Sequence, residues 1–550
     1  MSLNVSIAQI NPIVGSFKHN TKMVLNAILE AKNENADIIL FPELVITGYP
    51  PEDLLFRPAF LKKVEDTLEK MAMSVEGITV IIGAPLIKEG KLHNSACVMQ
   101  NGKITQTYAK QHLPNYRVFD EKRYFRRGKE SVVVEVAGHK VGLLICEDIW
   151  MEAPAQDAKQ AGAEMLLVLN ASPFRSNKTV ERLKILAQRS TDNDLPIVYA
   201  NLVGGQDELI FDGESLVVDC AGQLIFQAPS FESGVFTVNV PFSKSDNAIA
   251  PREQNTLASI YNALVLGVKD YVNKNGFPGV ILGLSGGIDS ALTMAIAVDA
   301  LGAKNVEAIM MPFRYTADIS KHDAALQAKT QGVKYREIPI EPIFNSFTDA
   351  LSKEFDGMEN DVTEENLQAR SRGVILMAMS NKLGKMLLAT GNKSEMAVGY
   401  ATLYGDMAGG YAPLKDVFKI TVYDLARYRN SIGDGDLLTG DSASYKEIIP
   451  DRVITRPPSA ELAPDQVDED SLPPYDILDA ILRMFIEEFQ SVDDIVAQGY
   501  ERETVKRVAN LVLLSEYKRR QSAPGIRITK RAFGKDRRYP ITSHYRWHLD

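Results

Sequence analysis

The sequence has few cysteines and no long apolar run. Only Cys97, Cys146 and Cys220 occur among 550 residues, an odd number without the paired spacing of a metal site. This usage argues against a disulfide framework and fits a reducing compartment, with one thiol free for chemistry. No stretch of about 18 apolar residues is present, so we expect no membrane-spanning segment. The N-terminal string MSLNVSIAQINPIVG lacks a basic start followed by an apolar core, so we predict no secretory signal and a cytoplasmic protein.

Positive charge is also in deficit. The chain has 61 Lys and Arg against 71 Asp and Glu, a formal net charge of −10, which argues against a general nucleic-acid binder. Its hydrophobic share of 45% and charged share of 24% are ordinary for a globular protein. Because the chain is too long for one hydrophobic core, its length suggests about three to four domain-sized units.

Short apolar runs alternate with helical patterns in the first 240 residues. The runs are LNVSIAQI, ADIILFPEL, ITVIIGAPL, KVGLLICED, AEMLLVLNAS, LPIVYANLV and ESLVVDC. Patterns such as NTKMVLNAILEAKNENA indicate helices between them, and QNGKITQTYAK and DCAGQLIFQA are typical of hairpins. We therefore predict a mixed α/β sandwich over residues 1–240. Residues 241–256 carry prolines and polar residues without periodicity, which indicates a linker.

A second domain is predicted over residues 257–550. The amphipathic helix LASIYNALVLGVKDYVNKNG precedes the strand GVILGL, a glycine turn and the helix SALTMAIAVDALG, and the strands VEAIMMP and VKYREIPI follow. This order predicts a doubly wound parallel sheet. Two stretches show neither the apolar periodicity of a helix nor that of a strand. One is the acidic string DGMENDVTEE, and the other is residues 433–475, which we interpret as a lid, a partner-binding segment or a disordered loop.

Three potentially reactive residues lie in the N-terminal half, two of them at the ends of predicted strands. Glu43 ends the run IILFPEL, Lys110 lies in TYAKQHLPNYRVFDEKRYF, and Cys146 lies in GLLICEDIW. Ligands in α/β sheets bind beyond the carboxyl ends of strands. A thiol nucleophile, a carboxylate to take its proton and a cation to stabilise an oxyanion form a coherent set. Taken singly, each residue also has an ordinary interpretation, as a packing cysteine or a solvated surface charge.

Together the three strings resemble the nitrilase (carbon–nitrogen hydrolase) family over nearly all of the first 240 residues. The resemblance implies an α-β-β-α sandwich. It also implies that Glu43 is the general base, that Lys110 stabilises the oxyanion, and that Cys146 forms a thioester. Glu121, in FDEKRYF, and Tyr116 fall where this resemblance implies residues that bind and orient the amide substrate.

The string GVILGLSGGIDSALTMAIA predicts a strand, a glycine-rich turn and a helix N-terminus. Glycines let the backbone approach phosphate, and the helix offers free N–H groups. The string is not a Walker A motif, because the Gly-Lys-Ser/Thr ending is missing. An Asp inside an anion cradle indicates a shared metal ion, so we predict Mg²⁺ between Asp289 and phosphate. The residues expected to bind ATP and its pyrophosphate are Ser285, Gly286, Gly287, Asp289 and Ser290.

The full string SGGIDS resembles the pyrophosphate loop of the N-type ATP-pyrophosphatase ligases. The longer string TEENLQARSRGVILMAMSNKLGKMLLATGNKSEMAVGYATLYGDMAGGYAPLKDVFK resembles the NAD synthetase family. This likeness implies contacts to deamido-NAD at Asn366, Arg370 and Asp406, contacts to ATP at Arg372, Thr390 and Lys419, and a second Mg²⁺ ligand at Glu395. We interpret the basic stretch YKRRQSAPGIRITKR as a phosphate pocket or subunit contact rather than an RNA site.

The two resemblances imply one reaction sequence. Ammonia released from glutamine in the N-terminal half would amidate ATP-activated deamido-NAD in the other half, giving NAD, AMP, pyrophosphate and glutamate. They also imply a homo-oligomer without nucleic-acid or membrane partners. Two alternatives remain open: an amidotransferase of the same loop family that acts on a purine nucleotide, and a nitrilase whose C-terminal half is only a regulatory nucleotide-binding module. The strings LQARSRG and TGNKSEMAVGYATLYGD disfavour the first, and the two predicted Mg²⁺ carboxylates disfavour the second.

Overall fold

The computed structural model describes residues 2–252, 255–432, 447–463 and 466–545. The chain divides into two compact units, Met1–Gln254 and Asn255–Asp550, and the division lies inside the stretch for which the sequence predicts a linker. Among the described residues, no helix combines the length and the apolar character that crossing a membrane requires.

The first unit contains two six-stranded mixed sheets and a small hairpin. Its strands are β1 (Ser2–Gln9), β2 (Ile38–Leu40), β3 (Thr79–Lys88), β4 (Lys91–Gln100), β5 (Lys103–Ala109), β6 (Val133–Val136), β7 (His139–Ile145), β8 (Met165–Asn170), β9 (Ile197–Asn201), β10 (Val203–Gln206), β11 (Leu209–Asp212), β12 (Leu216–Val218), β13 (Leu224–Gln227) and β14 (Gly234–Pro241). Its helices are α1 (Phe17–Asn33), α2 (Pro58–Ala72), α3 (Glu152–Gln160) and α4 (Lys178–Asn193). The sheet orders are β14-β1-β2-β3-β4-β5 and β13-β12-β9-β8-β7-β6, and β10 pairs with β11.

The two large sheets pack on each other, and helices cover their outer faces. In β3, Val80 and Ile82 join a buried cluster with side chains of α1 and α2, whereas Ile81 joins a cluster with side chains of the second sheet. This alternation follows from the period of two along a strand. The second sheet is covered in the same way by α3 and α4, through residues such as Ala158 and Leu186. The predicted α-β-β-α sandwich is therefore confirmed.

The second unit is built on a four-stranded parallel sheet. Its strands are β15 (Val280–Gly283), β16 (Val306–Met310), β17 (Lys334–Glu337) and β18 (Met386–Leu388). Its helices are α5 (Thr256–Lys274), α6 (Ile288–Leu301), α7 (Asp318–Gln331), α8 (Glu341–Leu351), α9 (Val362–Leu383), α10 (Lys393–Val398), α11 (Lys419–Ser431), α12 (Asp451–Thr455), α13 (Tyr475–Leu482), α14 (Val492–Val496), α15 (Arg502–Leu514) and α16 (Glu516–Arg519). The order β17-β16-β15-β18 confirms the predicted parallel sheet.

The strand order places a switch point beside β15. The chain proceeds outward from β15 through β16 to β17 and then returns to the other side of β15 as β18. Crevices at such points, beyond the carboxyl ends of the strands, are where open α/β sheets bind ligands. The SGGIDS turn follows β15 at this position, and α6 begins inside it at Ile288.

The structure shows different conformations for the two stretches that have neither helix nor strand periodicity. The acidic string contains the start of α9, because the Asp361 side chain accepts a hydrogen bond from the Thr363 N–H and the Glu364 side chain accepts one from the Asp361 N–H. This capping box accounts for two of the acidic residues, Asp361 and Glu364. Of the predicted loop at 433–475, residues 433–446 and 464–465 lie outside the described residues. The described part contains α12, a 3₁₀ helix at Asp468–Asp470 and the first residue of α13.

Candidate active sites

Glu43 and Lys110 form a buried ion pair in the first unit. Glu43 follows β2, Lys110 follows β5, and Lys110 Nζ lies 2.7 Å from Glu43 Oε1. The Asn94 amide donates to the same Oε1 at 2.7 Å, and the Ala171 N–H donates to Oε2 at 3.1 Å. Because each oxygen of Glu43 has a fixed donor, the carboxylate is held in one orientation.

Cys146 directly follows β7 and is the first residue of the 3₁₀ helix Cys146–Trp150. It is 5% exposed and adopts a left-handed conformation with φ of 47°, which is uncommon outside glycine and recurs at active sites. Asp148 fixes this turn. Its Oδ2 accepts from the Ile145 N–H at 3.1 Å, and its Oδ1 accepts from the His112 N–H at 2.8 Å. Since His112 lies two residues beyond Lys110, Asp148 links the turn at Cys146 to the segment that carries Lys110.

The charges of Glu43 and Lys110 act on the Cys146 thiol. Burial and the nearby Glu43 carboxylate hold the pKa of Cys146 well above its ordinary value, and Lys110 opposes this shift. The resting group is therefore the thiol, so attack requires a base to take its proton. Glu43, which the sequence predicts to be the general base, lies 2.7 Å from Lys110 Nζ.

Glu121 extends the same cluster. Its Oε1 lies 2.8 Å from Lys110 Nζ and accepts a hydrogen bond from the Tyr49 hydroxyl at 3.2 Å. Its Oε2 is buried and has no hydrogen-bond partner among the described residues, and Glu121 lines a small cleft with Tyr49 and Phe125. Burial and the charge of Glu43, opposed by Lys110, raise the pKa of Glu121 to about 7. An orphaned buried oxygen beside a cleft is suited to bind a cationic or N–H group of a substrate.

Tyr116, the other predicted substrate residue, lies at the edge of this site. Its hydroxyl donates to the Glu147 carboxylate at 3.0 Å, and the residue is 50% exposed. Burial and Glu147 raise the pKa of its phenol. Since Glu147 directly follows Cys146, this hydrogen bond places Tyr116 near the nucleophile's turn.

The second unit contains a cavity of about 440 Å³ beside the carboxyl ends of β15 and β18. This volume lies within the range of about 300–1,000 Å³ that small-molecule sites occupy. Predicted site residues in its lining are Ser285, Gly287, Asp289, Ser290, Asn366, Arg372, Thr390, Glu395, Asp406 and Lys419. The cavity is also lined by Pro458, Glu461 and Asp468, which belong to the predicted loop.

Lys419 joins two carboxylates at this cavity. Its Nζ lies 2.5 Å from Asp289 Oδ2 and 3.1 Å from Glu395 Oε1. Burial and the charge of Asp289, opposed by Lys419, raise the pKa of Glu395 to about 8. Asp468 adds a third buried carboxylate near this group, and its Oδ2 accepts from the Tyr475 hydroxyl at 2.8 Å.

Gly286 and Arg370 do not line the cavity. Gly286 has a φ of 83°, and a Cβ there would lie 2.4 Å from the Ser320 carbonyl oxygen, so its role is to let the turn approach α7. Arg370 is half-buried, and its Nε donates to the Leu403 carbonyl at 3.3 Å. It therefore contacts the segment that leads to Asp406.

Hydrogen bonds within the second unit hold three of the other residues that are predicted to contact nucleotides. Arg372 Nε donates to the Met311 carbonyl at 3.1 Å, and burial lowers the pKa of Arg372 to about 10. Asn366 Oδ1 accepts from the Thr402 hydroxyl at 2.9 Å, and Asp406 Oδ1 accepts from the Thr402 N–H at 2.6 Å. Thr402 thus connects Asn366 and Asp406, two of the three residues predicted to contact deamido-NAD.

The terminal basic stretch is mainly structural. Arg519 is buried, with its guanidinium on Glu516 and on backbone carbonyls, and Arg527 forms an ion pair with Asp536. Lys518 lines the cavity and donates to the Gly399 carbonyl at 2.8 Å. The interpretation of the stretch as a phosphate pocket or subunit contact stays a prediction for the remaining residues.

Sequence reasoning missed the residues that hold the reactive groups in place. They are Asn94, Asp148 and Tyr49 in the first unit and Asn392, Asp468 and Tyr475 in the second. The available signal was a polar residue inside or directly after an apolar run, as with Asn94 in KLHNSACVMQ. That signal identifies a buried polar group and leaves its partner undetermined.

The two folds and the residue clusters that they carry define the class of two-domain enzymes that couple amide hydrolysis to nucleotide-dependent ligation. The carbon-nitrogen hydrolase model matches residues 4–249, and the NAD synthase model matches residues 260–522. Curated relatives named glutamine-dependent NAD(+) synthetase are 49% identical in Acinetobacter baylyi and 42% identical in Thermotoga maritima, with 99% of this chain and of each relative covered. A solved glutamine-dependent NAD+ synthetase from Acinetobacter baumannii, in complex with adenosine diphosphate, is 46% identical with a TM-score of 0.79 over 98% of both chains.

The chain belongs to the family of glutamine-dependent NAD(+) synthetases. This membership contradicts both alternatives left open by the sequence, the purine amidotransferase and the regulatory nucleotide-binding module.

Proposed function

We propose that this chain catalyses the ATP-dependent amidation of deamido-NAD to NAD, the last step of NAD biosynthesis. Glutamine is the nitrogen source, and AMP, pyrophosphate and glutamate are the other products. The observation that carries the proposal is the presence of two complete constellations, one in each unit, on a chain that matches named synthetases over 99% of its length. The complex of the A. baumannii relative with adenosine diphosphate supports nucleotide binding by this chain.

The first unit acts as a glutaminase. Cys146 Sγ attacks the side-chain amide carbon of glutamine while Glu43 takes the thiol proton. Lys110 stabilises the negative charge on the amide oxygen. When the tetrahedral intermediate collapses, Glu43 returns the proton to the departing nitrogen. Ammonia is released, and the glutamyl group remains bound to Cys146 as a thioester. Glu43 then takes a proton from water, whose oxygen attacks the thioester carbon. When the C–S bond breaks, Glu43 returns the proton to the Cys146 sulfur, and glutamate is released.

The free carboxylate oxygen of Glu121 recognises the substrate. We assign it to the α-ammonium group of glutamine, because Oε2 is buried without a partner beside the cluster that contains the base. Tyr116 closes the outer side of this site through Glu147. A substrate without the ammonium group would leave the Glu121 oxygen unpaired, which disfavours simple amides.

The second unit holds the nucleotides. The SGGIDS turn and the N-terminus of α6 present backbone N–H groups to phosphate oxygens. Lys419, Arg372 and Thr390 contact ATP, and Asn366, Arg370 and Asp406 contribute to the binding of deamido-NAD. The nicotinate carboxylate attacks the α-phosphorus of ATP and expels pyrophosphate, and ammonia then displaces AMP. No covalent bond to the enzyme is needed at this site.

Asp289 and Glu395 are the residues that would hold Mg²⁺. Their oxygens converge on one ammonium group, so they lie close enough to share a cation. Within the described ranges, no group of three or more His, Cys, Asp or Glu side chains is arranged to hold a metal ion. Two carboxylates fit Mg²⁺ nonetheless, since this ion keeps waters and substrate phosphates among its ligands. When bound, it would neutralise the charge that develops on pyrophosphate.

The decisive test is NAD formation by a Cys146→Ala variant. With deamido-NAD and Mg-ATP, activity is expected to be lost with glutamine and retained with a high concentration of ammonium. Cys220→Ala is the matched control, because this half-buried cysteine lies outside the described cluster, and it should keep both activities. If Cys146→Ala works normally with glutamine, the glutaminase assignment is wrong. If the unmodified protein makes no NAD from either source, the acceptor assignment is wrong. Homo-oligomeric assembly and cytoplasmic location stay predictions.

A further inference from the structure

Asn392 contacts both carboxylates of the proposed cation site. Its Nδ2 donates to Asp289 Oδ1 at 2.8 Å, and its Oδ1 accepts from the Glu395 N–H at 3.0 Å. Its backbone N–H donates to Glu395 Oε2 at 3.4 Å, which completes a capping box at the start of α10. The side chain is fully buried. The side-chain amide of Asn392 therefore connects the Asp289 carboxylate with the backbone at the start of α10, the helix that carries Glu395.

We propose that Asn392 is a positioning residue that sets the separation of the Asp289 and Glu395 carboxylates and thereby the affinity of the synthetase site for a divalent cation. The inference rests on the proposed function, in which these two carboxylates hold Mg²⁺. It assigns to Asn392 a role beyond capping a helix.

The division of contacts at Asp289 supports this role. One oxygen, Oδ1, is held by Asn392, and the other, Oδ2, lies on Lys419. The Lys419 ammonium carries charge and competes with any bound cation for the same carboxylates. The Asn392 amide is neutral, so it can keep its hydrogen bond to Oδ1 while a cation binds Oδ2. Of these two donors, Asn392 is therefore the one that can orient Asp289 both with and without a bound cation.

Asn392 is itself held by a rigid segment. The next residue, Lys393, is fully buried, and its Nζ lies 2.8 Å from Asp416 and 2.7 Å from Glu487. Ser394 hydrogen-bonds to Asp479, and its hydroxyl accepts from the Lys419 N–H at 2.9 Å. Because the residues that follow Asn392 are fixed by buried contacts, its amide has little freedom to move relative to Glu395.

A capping role alone makes a different prediction. Ser, Thr and Asn are all effective N-caps, so a serine or threonine at position 392 would preserve the start of α10. Both side chains are too short to replace the hydrogen bond to Asp289. If Asn392 only caps the helix, these variants should bind a cation like the unmodified protein. If it positions Asp289, they should bind it more weakly.

The experiment measures Mn²⁺ binding to the full chain by calorimetry, with α,β-methylene ATP present. Asn392→Ser and Asn392→Thr are expected to weaken binding by about 10–100-fold, the usual effect of removing a group that orients a metal ligand. Their melting temperatures should stay close to that of the unmodified protein. The Mg²⁺ concentration that half-saturates ammonium-driven NAD formation should rise in parallel. Asn430→Ser is the matched control, since Asn430 is a buried amide that hydrogen-bonds to Ile448 and Ile449 in the same unit, and it should leave Mn²⁺ binding unchanged.

The outcomes separate this inference from the proposed function. Asp289→Asn should abolish Mn²⁺ binding. Unchanged binding in this variant would show that Asp289 does not belong to a cation site. Normal binding in both Asn392 variants, together with loss in Asp289→Asn, would overturn the positioning role and leave the proposed function intact. Equal weakening in Asn430→Ser would also overturn it, because the effect would then be a general response to a lost buried amide.

Discussion

The Nζ of Lys110 lies 2.7 Å from Oε1 of Glu43, and neither side chain is exposed to solvent. The same Nζ lies 2.8 Å from Glu121 Oε1, so one ammonium serves two buried carboxylates. Burial disfavours the ammonium, but Glu121 and Glu43 together hold the pKa of Lys110 well above its ordinary value. Lys110 therefore stays charged across the neutral range, as its proposed role of stabilising an oxyanion requires.

Replacing Lys110 by methionine is expected to abolish glutamine-dependent activity and to destabilise the first unit. Removing one partner of a buried ion pair leaves uncompensated charge, which costs about 3–5 kcal/mol. Urea denaturation and a glutaminase assay measure the two effects. Lys62→Met is the control, because Lys62 is 65% exposed in its pair with Asp66 and contributes little. Unchanged stability in Lys110→Met would show that the carboxylates do not depend on this cation.

The affinity for glutamine should depend on pH through Glu121. The pKa of Glu121 is raised to about 7, so the fraction in the ionised form falls as pH decreases through that value. If the ionised form binds the ammonium of glutamine, the KM for glutamine should rise about tenfold per unit of pH below about 7. Steady-state kinetics over about three pH units, from about pH 5.5 to about pH 8.5, measure this dependence of KM. Ammonium-driven activity should not follow the same profile, and Glu121→Gln should remove the dependence of KM on pH.

Gly286 should be intolerant of a side chain. An alanine there must adopt φ of 83°, which costs about 1–2 kcal/mol, and its Cβ would approach the Ser320 carbonyl to 2.4 Å. The SGGIDS turn must then shift, and a displacement of about 1 Å can cost about a hundredfold in rate. Ammonium-driven NAD formation measures the loss. Gly276→Ala is the control, since Gly276 has φ of 75° with open space around it, and it should show only the backbone strain.

The reactive residues could be predicted from the sequence because each lies in a distinctive string near the end of an apolar run. Glu43, Cys146 and Asp289 follow β2, β7 and β15, where the strand period and the turn chemistry are local properties. Their supports could not be predicted in the same way. Asp148 binds backbone N–H groups 36 and 37 residues earlier in the chain, a pairing that exists only after the sheets have formed.

Charge patterns were the least informative part of the sequence. Arg519 belongs to a basic stretch that resembles a phosphate site, yet its guanidinium is buried on Glu516 and the Ala397 carbonyl. Long cationic side chains can satisfy carbonyls within a core as readily as they can face solvent. The sequence has no local signal that separates these outcomes. The strand β14 is absent from the runs named in the sequence, although Phe236, Val238 and Val240 alternate with Thr237 and Asn239.

The acidic string before α9 leads to the last prediction. Asp361 caps the helix that carries Asn366, Arg370 and Arg372, and Asn366 lies only one turn from the cap. Asp361→Ala should loosen the first turn of α9 and raise the KM for deamido-NAD several-fold, with a smaller effect on the KM for ATP. Asp361→Ser keeps an N-cap acceptor and should restore the KM. Ammonium-driven kinetics with each substrate varied in turn measure both values. An equal rise for the serine and alanine variants would contradict the capping role, because it would mean that the charge of Asp361, rather than its hydrogen bond, supports the binding of deamido-NAD.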